Sequence, residues 1–172
     1  MKRNSSIFLA VSLALVTAVV QAQKNEKPEP SITIEEVIIM VSQGKPIGAE
    51  GVSPGTLCNL KVKLRNRGTQ KASTFGFAVK INAQEMMVYD KALYMRLVDP
   101  GTTSEIVLHN FYSTEPGASP PKDGKLTVEV TLKQAQWVEI KKESNVEVST
   151  PVGEVQGLPV SGSVSKPLKP PV

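Results

Sequence analysis

Residues 57–65 read LCNLKVKLR, and from Cys58 onward apolar and polar side chains alternate. This period of two is typical of a β-strand that has one buried face and one solvated face. We therefore predict a strand at this point in the chain. Its alternate apolar side chains are assigned to the core: Cys58, Leu60, Val62 and Leu64.

The same alternation returns in two more stretches, TFGFAVKIN and LTVEVTLK, which begin at Thr74 and Leu126. Strands of this kind, with one dry and one wet face, are characteristic of antiparallel sheets. Their inward-facing side chains extend the predicted core: Phe75, Phe77, Val128 and Val130.

Less regular apolar stretches are interpreted as further strands at residues 32–41, 86–98, 104–112, 136–140 and 146–150. The second of these is expected to break into two short strands or a strand with a bulge. In the third, Ile106 and Leu108 should face one side, and Val107 and Phe111 the other. Turn-forming residues separate the stretches, and none shows a sustained amphipathic helix. We predict an all-β, immunoglobulin-like antiparallel two-sheet β-sandwich of about seven to eight strands.

The N-terminal end has the organisation of a secretory signal peptide. Lys2 and Arg3 form a short basic region, residues 7–20 are predominantly apolar, and a VQA sequence ending at Ala22 suits a signal peptidase. The apolar run is shorter than the roughly 20 residues that a bilayer core requires. We expect residues 1–22 to be removed, leaving an exported bacterial chain, periplasmic or extracellular, with no membrane span.

The mature chain divides into three parts by composition. Residues 23–30 are polar, contain two prolines and are expected to form a flexible lead-in. Residues 31–150 carry nearly all of the alternating pattern and form the predicted sandwich. Residues 151–172 are rich in Pro, Ser and Gly. We interpret them as a disordered tail, because such a composition buries too little apolar surface to offset the entropy of ordering.

The composition excludes several classes of site. Cys58 is the single cysteine and His109 the single histidine, so neither an internal disulfide nor a cysteine- or histidine-rich metal centre can form. The formal net charge of +4 comes from the two ends of the chain, and basic and acidic residues are interspersed between them. We predict no cofactor and no nucleic-acid partner.

Two predicted corners have the chemistry of turns. Asn66 can bond its side chain to the local backbone, and Gly68 can adopt a positive φ without a Cβ clash. Pro100 and Gly101 favour a turn at the second corner in the same way. These four residues are therefore assigned structural roles.

The order of these motifs resembles that of CARDB-type domains, the cell-adhesion-related domain found in bacteria. A PGT sequence at residues 54–56 precedes a strand that ends in RNRGT at residues 65–69, similar to the xNxGT corner of that family. Residues 97–102 (LVDPGT) and a Gly-led strand at residues 124–130 follow in the family's order. The closing segment departs from it, with Lys141-Lys142 and no doubled asparagine. The resemblance implies an extracytoplasmic, non-enzymatic β-sandwich used for spacing, adhesion or protein contact.

Candidate catalytic groups are few. Cys58 lies on the inward face of its strand, where a free cysteine behaves as a small hydrophobe. His109 is expected to face solvent or a loop. The acidic residues are scattered, and no serine-hydrolase, zinc-protease, phosphate-loop or dinucleotide motif is present. We predict that the chain is not an enzyme.

Several aromatic and methionine side chains are candidates for a contact surface. They are Met86, Met87, Tyr89, Tyr94 and Trp137. The irregular stretch at residues 86–98 is also a candidate edge strand, to which a partner strand could add.

These observations favour an exported, non-enzymatic binding or structural module that contacts a protein or a cell-surface polymer, as an adhesion domain does. The alternative is a small exported enzyme, or an enzyme accessory, for a cell-wall or polysaccharide substrate. An exposed cluster of at least two acids with an aromatic floor would favour that alternative. A periplasmic chaperone that donates a strand is a third interpretation, which requires a long unprotected edge and a basic anchor in a cleft.

Overall fold

The computed structural model describes residues 31–41, 44–89 and 96–170, and of residues 85–89 and His109 it describes the backbone. The predicted signal peptide, the predicted lead-in and Tyr94 lie outside these ranges.

Within the described ranges, eight strands make up the regular structure. In chain order they are β1 Ile32–Val41, β2 Leu57–Asn66, β3 Lys71–Ile81, β4 Gln84–Tyr89, β5 Thr103–Tyr112, β6 Lys125–Glu143, β7 Val146–Glu154 and β8 Val160–Pro167. They form a three-stranded sheet in the order β1-β2-β5 and a five-stranded sheet in the order β4-β3-β6-β7, with β8 also beside β6. All of these pairings are antiparallel. The predicted all-β, two-sheet architecture is confirmed. Among the described residues, no helix is long and apolar enough to cross a bilayer.

The two sheets bury their alternating apolar faces in a common core. β2 shows the principle most clearly, since half-buried and buried residues alternate strictly along its length. Phe75 and Phe77 of β3 are fully buried, with ring centroids 6.4 Å apart. Every residue predicted for the core is buried: Cys58, Leu60, Val62, Leu64, Phe75, Phe77, Val128 and Val130.

A β-bulge in β5 reverses the predicted facing of Phe111. Leu60 of β2 pairs with Leu108, but Cys58, two residues earlier, pairs with Phe111, three residues later. The extra residue shifts the alternation of β5 by one position. Phe111 therefore enters the core at 9% exposure, whereas Val107 is 52% exposed. The prediction that these two side chains share a face is wrong.

Most of residues 151–172, predicted to form a disordered tail, is ordered in the five-stranded sheet. β7 extends to Glu154, and β8 pairs with β6 along its first half, from Lys125 to Leu132. The prediction of disorder is wrong because composition alone hides a period of two: in VSGSVSKP, small apolar and polar residues alternate. Such a strand needs little apolar surface of its own, since it is added to a core that the rest of the domain supplies.

β8 approaches β1 closely and closes one side of the sandwich. A Cβ atom at Gly162 would lie 2.6 Å from Cγ2 of Ile34, so the approach requires glycine. Just beyond β8, the backbone N–H of Val52 donates to the carbonyl of Pro167 at 3.0 Å, and Leu168 is 9% exposed. The C-terminal segment is therefore part of the core of the domain.

Candidate functional site

The most prominent surface feature is a β-hairpin that extends beyond the sandwich. β3 pairs with β6 only as far as the Lys71–Val138 pair, whereas β6 continues to Glu143. Past that point, β7 is the only described strand that pairs with β6. We call residues 139–152 the hairpin arm, and none of them is buried.

The turn of the hairpin arm fixes which backbone groups face outward. Ser144 and Asn145 have φ values of 47° and 69°, as a two-residue type I′ turn requires. In such a hairpin the flanking residues, Glu143 and Val146, exchange both backbone hydrogen bonds, and bonded and non-bonded pairs alternate from there. Val146, Val148 and Thr150 therefore bond to β6. Glu147, Ser149 and Pro151 face the other edge of β7, which no described strand pairs with; we call it the free edge.

The arm also exposes large apolar side chains. Val146, Val148 and Val152 are 61%, 38% and 45% exposed. Val146 and Val148 lie on one face, because alternate residues of a strand share a face. Their partners on β6 are Glu143 and Lys141. The arm thus combines exposed valines, flanking charges of both signs and an open strand edge.

The predicted contact residues are distributed differently. Met86, Met87 and Tyr89 lie on β4, which is an edge strand of the five-stranded sheet. They are the described beginning of the candidate edge at residues 86–98, whose residues 90–95 lie outside the described ranges. Trp137 is half-buried and packs against the core. The corner after β2 covers part of its ring, and the assignment of Trp137 to a contact surface stays a prediction.

The corner at Asn66 confirms a predicted hydrogen bond and adds two others. The Asn66 side chain is fully buried and accepts from the N–H of Gly68 at 2.9 Å. Its Nδ2 donates to the carbonyls of Gln70 at 2.7 Å and Val98 at 2.9 Å. Asn66 thus ties the corner to the chain that enters the second predicted corner.

The two predicted glycines serve different needs. Gly101, which follows Pro100, has a φ of 70°, so the predicted positive φ at this corner is confirmed. Gly68 does not adopt a positive φ, and that prediction is wrong. Glycine is required at this position because there is no room for a side chain: a Cβ atom would lie 2.6 Å from Cη2 of Trp137.

The outer face of the three-stranded sheet offers no basic patch. The basic side chains of its central strand, β2, each meet an acidic neighbour. A β-bulge in β1 places two consecutive acids on this face. The pKa of the Glu105 carboxyl is lowered, mainly because the Lys61 ammonium group donates a hydrogen bond to it. The pairs are Lys61–Glu105 at 2.8 Å, Lys63–Glu36 at 3.3 Å and Arg65–Glu35 at 3.6 Å.

Cys58 and the described acidic residues do not assemble a reactive centre. The Cys58 side chain has no exposed surface, and burial raises the pKa of its thiol to about 11. A thiol of this kind is almost wholly protonated at neutral pH and is a poor nucleophile. Among the residues described, no group of three or more His, Cys, Asp or Glu side chains could hold a metal ion.

A cleft of about 290 Å³ with a mixed apolar and polar lining lies at the end of the sandwich opposite the hairpin arm. Tyr112, which is 40% exposed, lines it together with Gln84 and Glu115. Thr114 also lines it, and its buried Oγ1 atom has no hydrogen-bond partner among the described residues. An aromatic ring beside hydroxyl, amide and carboxylate groups is chemically suited to a polar ligand.

No family model matches this chain, and no curated protein matches it. Two of the similar solved structures are crystal structures of a GH2 β-galacturonidase from Eisenbergiella tayi, one bound to galacturonate and one to glycerol. Their TM-scores are 0.41 and 0.40, each at 9% sequence identity over 73% of this chain. The matched region spans 21% of each of those chains.

Proposed function

We propose that this chain is an exported, non-enzymatic binding module that contacts a protein or a cell-surface polymer through its hairpin arm. The observation that carries the proposal is the extension of β6 and β7 past the end of β3. The sandwich then acts as a rigid base that presents the arm.

The energetics of the arm support a contact role. An isolated two-stranded hairpin is at best marginally stable in water, because it has no core of its own. Val146, Val148 and Val152 are only partly covered, since they remain 61%, 38% and 45% exposed. Burying them against a partner would contribute about 25 cal/mol per Å² of apolar surface removed from water.

The free backbone edge supports a protein partner in particular. Outward N–H and C=O groups on β7 can bond to an added strand, which is a common mode of peptide recognition. By contrast, the paired charges on the three-stranded sheet leave that face without the single-sign field that steers a charged ligand.

The second candidate function is that of a carbohydrate-binding accessory to an enzyme. The exposed ring of Tyr112 beside Glu115 and Gln84 favours it. Aromatic faces with neighbouring polar groups suit ligands that have one apolar and one hydrogen-bonding surface. In this function the ligand would bind in the cleft, and the hairpin arm would not contact it.

A capture experiment with matched variants tests the two functions. The mature chain is immobilised and exposed to the solubilised envelope fraction and to cell-wall polysaccharide. We expect the double variant V146S/V148S to lose at least tenfold in capture. V107S, which changes a valine on β5 whose exposure lies between those of the two, should bind as the wild type does. Full capture by V146S/V148S would refute the arm as the contact. Loss of polysaccharide capture in Y112S alone would establish the accessory function instead.

A further inference from the structure

The free edge of β7 is short and has a defined pattern. Glu147 and Ser149 direct their N–H and C=O groups away from β6, as the turn geometry requires. The next outward position is Pro151, which has no N–H to donate. An added strand can therefore form complete backbone pairs at two positions, on either side of Val148.

A second copy of β7 is self-complementary to this edge in one antiparallel register. Outward residues must meet outward residues, which leaves four arrangements, with the two-fold axis at Glu147, Ser149, Val148 or Thr150; the last of these places Ser149 opposite Pro151, where a backbone donor is missing. In the first, Glu147 faces Glu147 of the other copy, and like charges directly opposite each other are destabilising. In the second, Glu147 faces Pro151, so a backbone donor is missing. In the third, Glu147 faces Ser149 and Val148 faces Val148.

We propose that two copies of the mature chain associate in this third register, with the two-fold axis at Val148, so that their arms form one four-stranded sheet. Glu147 of each copy exchanges both backbone hydrogen bonds with Ser149 of the other. The inference rests on the proposed function, since it names the partner of the arm.

The side chains fit this register. Val148 of each copy forms a non-hydrogen-bonded pair across the axis, where Cα atoms lie about 4.5 Å apart and side chains are in contact. Val146 then faces Thr150 of the other copy, so the exposed valines of both arms join in one apolar stripe. The pairing buries side chains that are 61% and 38% exposed in the single chain.

The bodies of the two domains do not obstruct the pairing. The strands run in opposite directions, so the two sandwiches lie at opposite ends of the four-stranded sheet. The turn of each arm, at Asn145, reaches Pro151 of the other copy. This is short of Val155, where the chain enters the core. Because only the arms meet, the interface belongs to the small, weakly associating class.

Cross-linking tests the register directly. In the mature chain, V148C should form a disulfide-linked dimer under mild oxidation, because the two Cβ atoms face each other across the axis. V146C is the matched control, and it should remain monomeric, since its opposite residue is Thr150. Cys58 is fully buried and does not compete. Equal cross-linking of V146C and V148C would overturn the register.

Association of the unoxidised protein tests the edge itself. Analytical ultracentrifugation of the mature chain should show a concentration-dependent dimer. S149P removes an outward N–H and should abolish it, whereas K142P, which blocks the opposite edge of the arm, should not. S149K places a cation opposite Glu147 and should tighten the dimer about twofold to tenfold, and S149E should weaken it similarly.

A chain that stays monomeric up to millimolar concentration and gives no V148C cross-link would overturn the dimer. That result is distinguishable from a failure of the proposed function. If V146S/V148S still lost envelope capture, the arm would remain a contact site whose partner is another protein.

Discussion

The segment after Gln156 is predicted to be indispensable for folding, although its composition suggests a disordered tail. The perturbation is a chain that ends at Gln156 and therefore lacks β8 and the buried Leu168. The matched control ends at Lys169, which removes only the last residues and keeps the Lys169 N–H that donates to Val52 at 2.9 Å.

The expected loss follows from the side chains removed. Leu168 is 9% exposed, and Leu158, Val160 and Val164 are partly buried against the core. Burial of Leu168 contributes about 2–3 kcal/mol, and the three half-buried side chains contribute about 1 kcal/mol each. The sum of about 5–6 kcal/mol is comparable to the whole stability of a typical domain, about 5–15 kcal/mol.

Urea unfolding, followed by Trp137 fluorescence and far-ultraviolet circular dichroism, measures the effect. The chain ending at Gln156 should be largely unfolded without denaturant, and the chain ending at Lys169 should match the wild type. L168A provides a milder change, which should lower the free energy of unfolding by about 2–3 kcal/mol with the fold retained. A loss below about 1 kcal/mol in both L168A and the Gln156 truncation would refute the assignment of this segment to the core.

Three further outcomes are expected. N66A removes three hydrogen bonds from a buried corner and should cost about 3–4 kcal/mol in urea unfolding, against less than about 0.5 kcal/mol for the exposed control N110A. G68A should displace Trp137, shift its emission and cost about 1–3 kcal/mol; an unchanged spectrum would contradict the contact. The Cys58 thiol should react with a bulky disulfide reagent only after unfolding. Its pKa rises from an ordinary 9.0 to about 11 in the folded chain, so its contribution to stability should be lost as pH rises through that interval and should be missing from C58A.

The local alternation of apolar and polar residues predicted the principal core residues, because the side of a strand to which each side chain points is set by its position along that strand. Successive side chains of LCNLKVKLR must point to opposite sides, whatever lies above or below them. The same reasoning placed Phe75 and Val130 in the core, and both are buried. The Asn66 side-chain bond to Gly68 was also predictable, since donor and acceptor are two residues apart.

Local sequence did not predict the features that distant parts of the chain decide. The extra residue in β5 that turns Phe111 inward is defined only by the pairing of β5 with β2. Trp137 is half-buried because the corner at Gly68 packs on its ring. Neither contact leaves a signal in the local sequence.

The candidate site was only partly accessible to sequence reasoning. The strand at residues 146–150 was predicted, but its exposure was not, because VEVST carries the apolar alternation of a half-buried strand. Its two valines are exposed because β7 packs extensively on no described strand other than β6.

The sequence by itself determined the all-β class, the principal core residues and the chemistry of the Asn66 corner, because each depends on the order of neighbouring side chains. Tertiary structure decided that residues 160–167 form a strand and that residues 139–152 project as an arm. The physical reason is that the burial of a side chain depends on which other parts of the chain pack against its strand, as well as on the residue itself. β8 is ordered by a core that the rest of the domain supplies. The arm is exposed because, within the described chain, its β7 strand packs extensively only on β6.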